Sequence, residues 1–192
     1  MGRIWLRCLA GVAAGGLLLA LNACNDSDNP RAHGGDNQGA DGASEDARLT
    51  VTFDVTGGTT IKGTVTDAVP SNSLSPSCAE YAAGTQSDGK TVFSVPSLVM
   101  AGPVDGHEVT IEAVVYDYNG PGTYPGDKLS GLGNPGNLMI DKQQQYEILT
   151  GVTTSQLVVD SKGGGSWTFT NLNARGDTPK PGLNGKISWT CR

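Results

Sequence analysis

Short segments of this sequence alternate between apolar and polar residues. In residues 49–55, Leu, Val, Phe and Val alternate with two threonines and an aspartate. Residues 61–66 alternate in the same way, with Ile, Gly and Val on one side. An apolar residue at every second position is typical of a β-strand with one face in a core. The Gly57-Gly58 pair between them is a turn signal, so the two segments are predicted to form a β-hairpin.

Further segments along the chain have the same two-residue period. Residues 108–118 are the longest strand candidate, with apolar residues at the odd positions from 109 to 115. Residues 91–98 predict a strand interrupted at Pro96, and a proline inside a strand indicates the edge of a sheet. Residues 78–83 are predicted to form one helical turn, and the Gly/Pro-rich residues 119–136 a long loop. The remaining predicted strands are residues 137–140, 146–150, 156–160, 166–170 and 187–191.

This series of short strands predicts an all-β fold. About eight or nine strands with turn signals between them are typical of a β-sandwich, immunoglobulin-like or related, or of a small β-barrel. The composition agrees, because 28 of the 192 residues are glycine and only 17% are charged. So few charges are poorly suited to the solvent faces of a helical bundle. Trp167 and Trp189 alternate with polar residues in their strands, so both are predicted to lie in the core.

The first residues of the chain have a different pattern. Arg3 and Arg7 are followed by an uncharged apolar segment, residues 8–21. As a helix, these 14 or so residues would be about 21 Å long. That is too short to cross the roughly 30 Å hydrocarbon core of a bilayer. A basic start and a short apolar segment are typical of a signal peptide, here residues 1–23.

The end of this segment resembles the lipobox of bacterial lipoproteins. Leu21, Ala23 and Cys24 match the aliphatic residue, the last small residue and the cysteine of that family, whereas Asn22 departs from the residue usual at its position. The resemblance implies that Cys24 is acylated with diacylglycerol, that the chain is cut just before it, and that the new α-amine is acylated too, for instance with palmitate. Membrane lipid is then a partner of the chain through Cys24. The alternative is an ordinary secretory signal cut after Ala23, which leaves Cys24 as a free thiol.

A polar segment follows the cysteine. Residues 25–47 contain no Val, Ile, Leu, Phe, Tyr or Trp, and six acidic residues face one basic residue, a net charge of −5. Such a segment buries too little apolar surface to offset the entropy of ordering, so residues 24–47 are predicted to be a flexible acidic tether. Its mean reach is about 25–30 Å. The predicted ectodomain is residues 48–192.

The cysteines predict one disulfide. Of the four in the chain, Cys8 leaves with the signal peptide and Cys24 is the predicted lipidation site. Cys78 and Cys191 remain in an exported domain, where two thiols usually form a disulfide. The alternatives are two free thiols and a metal site that uses both cysteines. Such a site would need histidine ligands nearby, and His107 is the only histidine in the domain. No metal or cofactor is expected.

The end of the chain has a second resemblance. Residues 165–169 and 185–191 form a Gly-rich tail and a final strand that ends in cysteine. This arrangement resembles small bacterial lipoprotein antigens of the actinobacterial type, which carry one disulfide in a β-rich ectodomain. The resemblance implies a surface-exposed, non-enzymatic protein of the cell envelope.

Catalytic motifs are few. Ser87 and Lys90 have the spacing of a Ser/Lys nucleophile pair, but the intervening Asp88-Gly89 predicts a hairpin turn where that pair needs a helix. A Gly-x-Ser-x-Gly nucleophile elbow is absent from the sequence. A Ser-His-Asp triad would depend on His107, and Glu108 and Glu112 are better explained as a solvated strand face. The Arg-Gly-Asp tripeptide at residues 175–177 is expected to be a turn without a function, and no catalytic residue is predicted.

Tyrosines are the candidate binding residues. Tyr116 and Tyr118 share the polar face of their predicted strand, and Tyr124 follows in the Gly/Pro-rich loop. Rings displayed on one face can stack on sugars or pack against a partner protein, and prolines limit the entropy lost on binding. The alternative is that the loop folds over and buries the rings.

Together these patterns predict a membrane-anchored lipoprotein of the cell envelope. Its non-enzymatic ectodomain would lie outside the cytoplasm, in the periplasm or on the cell surface, and present a binding surface to an envelope polysaccharide or protein. One alternative is a carbohydrate-binding module that uses the three tyrosines, and a less favoured one is a hydrolase. The net charge of −6 argues against a nucleic-acid partner.

Overall fold

A computed structural model describes residues 47–71, 77–131, 134–176 and 180–192. The predicted signal peptide, Cys24 and nearly all of the predicted tether lie outside the described residues. Within the described ranges nearly all of the regular secondary structure is β-strand, which confirms the all-β prediction. The strands are β1 Leu49–Gly57, β2 Ile61–Pro70, β3 Thr85–Ser87, β4 Lys90–Ser94, β5 Pro96–Ser97, β6 Val109–Glu112, β7 Val114–Tyr116, β8 Gly122–Pro125, β9 Leu129–Ser130, β10 Asn137–Ile140, β11 Gln144–Glu147, β12 Thr154–Val159, β13 Gly165–Ala174 and β14 Leu183–Cys191. A helix α1, Cys78–Ala83, and a 3-10 turn, Gly126–Lys128, accompany them.

The strands form two sheets. The large sheet has the order β5-β2-β1-β14-β13-β11-β10-β6, and β12 also pairs with β13 and with β8. It is nearly closed, like a barrel, and a second sheet of order β3-β4-β7-β9 accompanies it. Of the two architectures that the strand spacing allows, a β-sandwich and a β-barrel, the structure is closer to the barrel.

The predicted hairpin at the start of the domain is confirmed. Strands β1 and β2 pair antiparallel, with Val51 opposite Val65 and Val55 opposite Ile61. On its other side β1 pairs with β14 along its whole length, from Leu49 opposite Cys191 onward. The apolar side chains of β1 are all buried, because this strand lies between two long neighbours.

The predicted long strand over residues 108–118 is wrong. The chain leaves the large sheet after β6 and enters the small sheet with β7, and Ala113 lies buried at the crossing. A reverse crossing occurs between β4 and β5, where Val95 N–H donates to the Ala113 carbonyl oxygen at 3.0 Å. The two crossings therefore lie side by side and join the sheets. The apolar face of residues 109–115 is buried as predicted, since both sheets pack against the same core.

The region predicted as one long loop also contains regular structure. Strands β8 and β9 and the 3-10 turn lie within residues 119–136. The β8 strand pairs with β12, and β9 pairs with β7. The loop prediction is therefore wrong for these short elements, whose pairing partners are distant in sequence. The edge prediction at Pro96 is confirmed, since β5 ends the large sheet and pairs with β2 on one side.

The helical turn and the disulfide lie together. Helix α1 occupies the predicted residues 78–83, and Ser77 Oγ accepts a hydrogen bond from Glu80 N at 3.2 Å at its start. Cys78 is bonded to Cys191, with 5.7 Å between the Cα atoms, which confirms the predicted disulfide. Trp167 and Trp189 are buried as predicted. Their indole N–H groups donate to Ser155 Oγ at 2.7 Å and to the Gly163 carbonyl oxygen at 3.1 Å.

Candidate functional site

The structure separates the three candidate tyrosines. Tyr116 is 47% exposed, whereas Tyr118 and Tyr124 are 4% and 8% exposed. The hypothesis that Tyr118 shares an exposed strand face with Tyr116, and that Tyr124 is displayed from the following loop, is therefore wrong for both residues. The physical cause lies at Asp117, whose φ angle of 59° interrupts the strand alternation and turns the next side chain inward.

Tyr118 is part of an aromatic cluster in the core. Its ring stacks on Phe93 with the centroids 5.0 Å apart, and its hydroxyl donates to the Ala82 carbonyl oxygen at 2.7 Å. The backbone N–H of Tyr118 donates to the Thr91 carbonyl oxygen at 2.8 Å, which holds the turned-in conformation. Burial raises the pKa of the Tyr118 hydroxyl well above its ordinary value, and the neighbouring Tyr124 raises it further.

Tyr124 closes the Gly/Pro-rich segment over this cluster. Its ring centroid lies 5.3 Å from that of Tyr118. The Tyr124 hydroxyl donates to Asn119 Oδ1 at 2.7 Å and lies against the Gly120 carbonyl oxygen. The segment therefore folds over and buries the rings, which was the alternative interpretation of the sequence.

Tyr116, in contrast, borders an open cleft of about 450 Å³. This volume is within the range of about 300–1,000 Å³ that is usual for small-molecule sites. Buried Leu129 and Ile148 supply apolar wall, and the polar side chains of Asp127, Ser130 and Thr150 lie around it. Gly126, Gly131, Asn134 and Pro135 complete the lining among the described residues. We refer to this feature as the Tyr116 cleft.

Backbone pairing holds the walls of the Tyr116 cleft. Strands β7 and β9 pair with Val115 opposite Leu129, which places Tyr116 next to the 3-10 turn. Gly136 N–H donates to the Leu129 carbonyl oxygen at 3.1 Å, and Ile148 N–H donates to the Gly136 carbonyl oxygen at 3.0 Å. These hydrogen bonds connect Leu129, Gly136 and Ile148, so the walls of the cleft are joined through backbone atoms.

Two glycines allow close approach around the cleft. A Cβ at Gly126 would lie 2.7 Å from the Ser155 Cβ, so a side chain there would push the 3-10 turn away from β12. A Cβ at Gly131 would lie 2.7 Å from Asn137 Nδ2. The absence of both side chains lets the cleft lie directly on the large sheet.

A buried amide lies beneath Gly131. Asn137 is fully buried, and its Nδ2 donates to Glu112 Oε2 at 3.1 Å and to the Pro135 carbonyl oxygen at 3.2 Å. Among the described residues its Oδ1 is the buried side-chain oxygen without a hydrogen-bond partner. Glu112 is half-buried and accepts a hydrogen bond from the amide, so the predicted solvated strand face is wrong at this position.

The residues examined as catalytic candidates occupy other parts of the surface. His107 Nδ1 lies 2.8 Å from Asp141 Oδ2, and this hydrogen bond lowers the pKa of the Asp141 carboxyl. Glu108 forms an ion pair with Lys142 at 2.7 Å. These contacts join the start of β6 to the β10–β11 turn.

Ser87 and Lys90 lie opposite each other in the β3–β4 hairpin, as the Asp88-Gly89 turn signal predicts. Lys90 Nζ forms an ion pair with Asp117 at 2.9 Å. Arg175 lies 3.7 Å from Glu147 in a further ion pair, and Asp177 of the same tripeptide lies outside the described residues.

The described part of the chain also has depressions away from the Tyr116 cleft. One, of about 460 Å³, crosses β12, β13 and β14 on the outer face of the large sheet and is lined by hydroxyl and amide side chains such as Thr154, Thr168 and Asn184. The other, of about 220 Å³, lies beside Val99 and Gly102. Val99 and Met100 are 82% and 75% exposed there.

The described ranges lack two kinds of feature. They contain no group of three His, Cys, Asp or Glu side chains arranged to hold a metal ion. They also contain no helix that is long and apolar enough to cross a membrane.

Tyr116 is the cleft residue that the sequence predicted as a binding residue, and the other cleft residues were not predicted. Asp127 and Ser130 lie in the segment that was predicted to be a loop, and Thr150 follows a strand of a different part of the chain. The accumulation of Gly and Pro from residue 119 to 136 was the available signal, because loops carry many binding residues. Comparison of the chain with protein-family models, with curated proteins and with solved structures found no match.

Proposed function

We propose that this chain is an exported bacterial lipoprotein, held to a membrane through acylated Cys24, whose ectodomain presents a binding surface on the cell envelope. In this proposal residues 1–23 are the signal peptide, residues 24–47 carry the lipid and the tether, and residues 48–192 are the ectodomain. The ectodomain acts by binding and not by catalysis, and its partner is an envelope polysaccharide or protein.

One observation in the sequence carries the proposal. A basic start, an apolar segment of about 14 residues and Leu-Asn-Ala before Cys24 occur in the order that lipid attachment requires. A single acyl chain gives only marginal binding to a bilayer, whereas two or three chains anchor a protein stably. Acylation of both the thiol and the α-amine of Cys24 is therefore physically sufficient for the anchor.

The disulfide supports export. Cys78 and Cys191 are 113 residues apart in sequence and are bonded in the structure. Disulfides persist in oxidising compartments and are rare in reducing cytosol. A domain that depends on this bond is better suited to the outside of the cytoplasmic membrane.

The Tyr116 cleft is the surface that we assign to binding. It combines an exposed aromatic ring with apolar wall and a few polar side chains, the usual composition of a ligand site. An acidic tether with a reach of about 25–30 Å would hold the ectodomain away from the bilayer and leave the cleft open to larger envelope components.

Lipid labelling of cells tests the anchor. Cells that express the full chain are fed an alkyne fatty acid, and the protein is then detected by its label and by fractionation. The wild type should be labelled and membrane-bound, and Cys24→Ala should lose the label and leave the membrane fraction.

Cys8→Ala provides the matched control, because the same substitution within the signal peptide should leave labelling unchanged. Retention of label and membrane binding by Cys24→Ala would contradict the proposal. Release of unlabelled wild-type protein from the cells would support the alternative of an ordinary secretory signal.

A further inference from the structure

We propose that the Tyr116 cleft binds a neutral sugar ring of an envelope polysaccharide, with the ring stacked on Tyr116. This inference rests on the proposed function, which places the cleft where such polysaccharides occur. It replaces the three-tyrosine surface with one tyrosine and a different set of polar partners.

The aromatic ring supplies the first part of the recognition. Of the five tyrosines in the chain, Tyr116 is the exposed one, and the other four are buried in the core. The face of a tyrosine ring carries partial negative charge and attracts the weakly positive C–H groups on one face of a pyranose. Tyrosine also loses little conformational entropy on binding, since it has only two χ angles.

Polar side chains around the ring supply the second part. Asp127 accepts hydrogen bonds through two oxygens, whereas the hydroxyls of Ser130 and Thr150 both donate and accept. A sugar presents hydroxyls around the rim of its ring, and these need such partners when they leave water. The buried Leu129 and Ile148 give the cleft an apolar wall, against which C–H groups can pack.

Charge selects the class of sugar. Among the described residues that line the cleft, Asp127 is the one charged side chain, and none is Lys or Arg. A carboxylate or sulfate on the ligand would be repelled by Asp127, and no lysine or arginine among the described lining residues would offset that repulsion. The cleft therefore favours a neutral sugar over an acidic one.

The site is held in place before any ligand arrives. Pairing of β7 with β9 and the hydrogen bonds of Gly136 and Ile148 connect the walls through backbone atoms. Tyr116 itself pairs with Val92 of β4 in the small sheet. A cleft whose backbone is already ordered loses less entropy on binding.

Titration calorimetry with the full-length protein, extracted from membranes in detergent, tests the proposal. The probes are neutral oligosaccharides of glucose, galactose, mannose and N-acetylglucosamine, with polygalacturonate as the anionic comparison. We expect saturable binding of at least one neutral oligosaccharide and none of the anionic polymer. A failure to bind any neutral probe, or preference for the anionic one, would overturn the proposal.

Variants then locate the binding. Tyr116→Ala should weaken the affinity about tenfold or more, which corresponds to about 1.4 kcal/mol, and Tyr116→Phe should retain most of it because the ring remains. Asp127→Asn should weaken the affinity severalfold. Met100→Ala is the matched control, since it shortens a more exposed apolar side chain on another surface and should change nothing.

Equal affinity in the wild type and in both Tyr116→Ala and Asp127→Asn would overturn the assignment to this cleft. The two proposals fail separately, because loss of glycan binding leaves labelling of Cys24 unchanged. Conversely, an unlabelled Cys24 with intact glycan binding would overturn the anchor and leave the cleft assignment standing.

Discussion

At the residue scale, the conformation of Asp117 determines which tyrosines solvent can reach. Its positive φ angle places Tyr116 outside and Tyr118 inside, although the two residues share the same parity in the sequence. Asp tolerates this left-handed conformation better than most residues. The aspartate at position 117 permits the turn. The turn is favourable because it lets Tyr118 pack against Phe93 in the core, and Phe93 belongs to a different strand.

The Tyr118 hydroxyl should contribute measurably to stability. Tyr118→Phe removes the hydrogen bond to the buried Ala82 carbonyl and leaves that acceptor unsatisfied. We expect the free energy of unfolding in urea to fall by about 1–3 kcal/mol. Tyr116→Phe is the control on an exposed ring and should change it by less than about 0.5 kcal/mol. Equal effects of the two substitutions would contradict the burial of Tyr118.

At the element scale, the short strands owe their stability to partners far away in the chain. Strand β1 has long antiparallel neighbours on both sides. Strands β5 and β9, in contrast, have two residues each, and each is the last strand of its sheet. Alternation therefore predicted β1 and β2 well, because a strand inside the sheet with one buried face has a complete pattern. The alternation continues through Ala113, from β6 into β7, because both sheets bury the same side of the chain there. The sequence therefore gives no sign that the strand ends at this point.

The turn between β1 and β2 depends on a glycine. Gly57 has a φ angle of 122°, and a Cβ there would lie against the Gly182 carbonyl oxygen. Gly57→Ala should lower the free energy of unfolding by about 2 kcal/mol or more, from backbone strain and steric overlap together.

Gly102→Ala separates these two causes. Gly102 also has a positive φ angle, of 80°, but a Cβ there would meet nothing within 4 Å. Its substitution should cost about 1 kcal/mol from strain alone. Denaturant unfolding of both variants checks the difference, and an equal loss would mean that the approach to Gly182 is not a constraint.

At the scale of the whole molecule, the disulfide and the β1–β14 pairing hold the last strand in the barrel-like sheet. Strand β14 lies between β1 and β13, and its final cysteine is bonded to the start of α1. Arg48 and Arg192 exchange backbone hydrogen bonds of 3.1 and 2.9 Å just beyond the strand ends. The beginning and the end of the described domain are thus joined, and the bond connects them to α1.

Removal of the disulfide should destabilise the domain strongly. The pair Cys78→Ala and Cys191→Ala, or reduction of the wild type, should lower the free energy of unfolding by about 2–5 kcal/mol, since the loop that the bond closes is long. Denaturant unfolding with and without a thiol reductant measures the change. The double variant should no longer respond to the reductant, and an unaltered midpoint in the reduced wild type would contradict a stabilising role.

The sequence by itself determined which residues are buried in most strands, the all-β class, the turn at Gly57-Gly58, the helical turn at residues 78–83 and the pairing of Cys78 with Cys191. These properties follow from local alternation, turn chemistry and the cysteine count, so they can be interpreted without knowing which strands meet. The tertiary structure alone decided the near-closure of the large sheet, the crossings at Val95 and Ala113, the burial of Tyr118 and Tyr124, and the Tyr116 cleft. Alternation indicates that a side chain is buried, but it does not indicate which residues the side chain contacts. The pairing of strands depends on contacts between residues far apart in the chain.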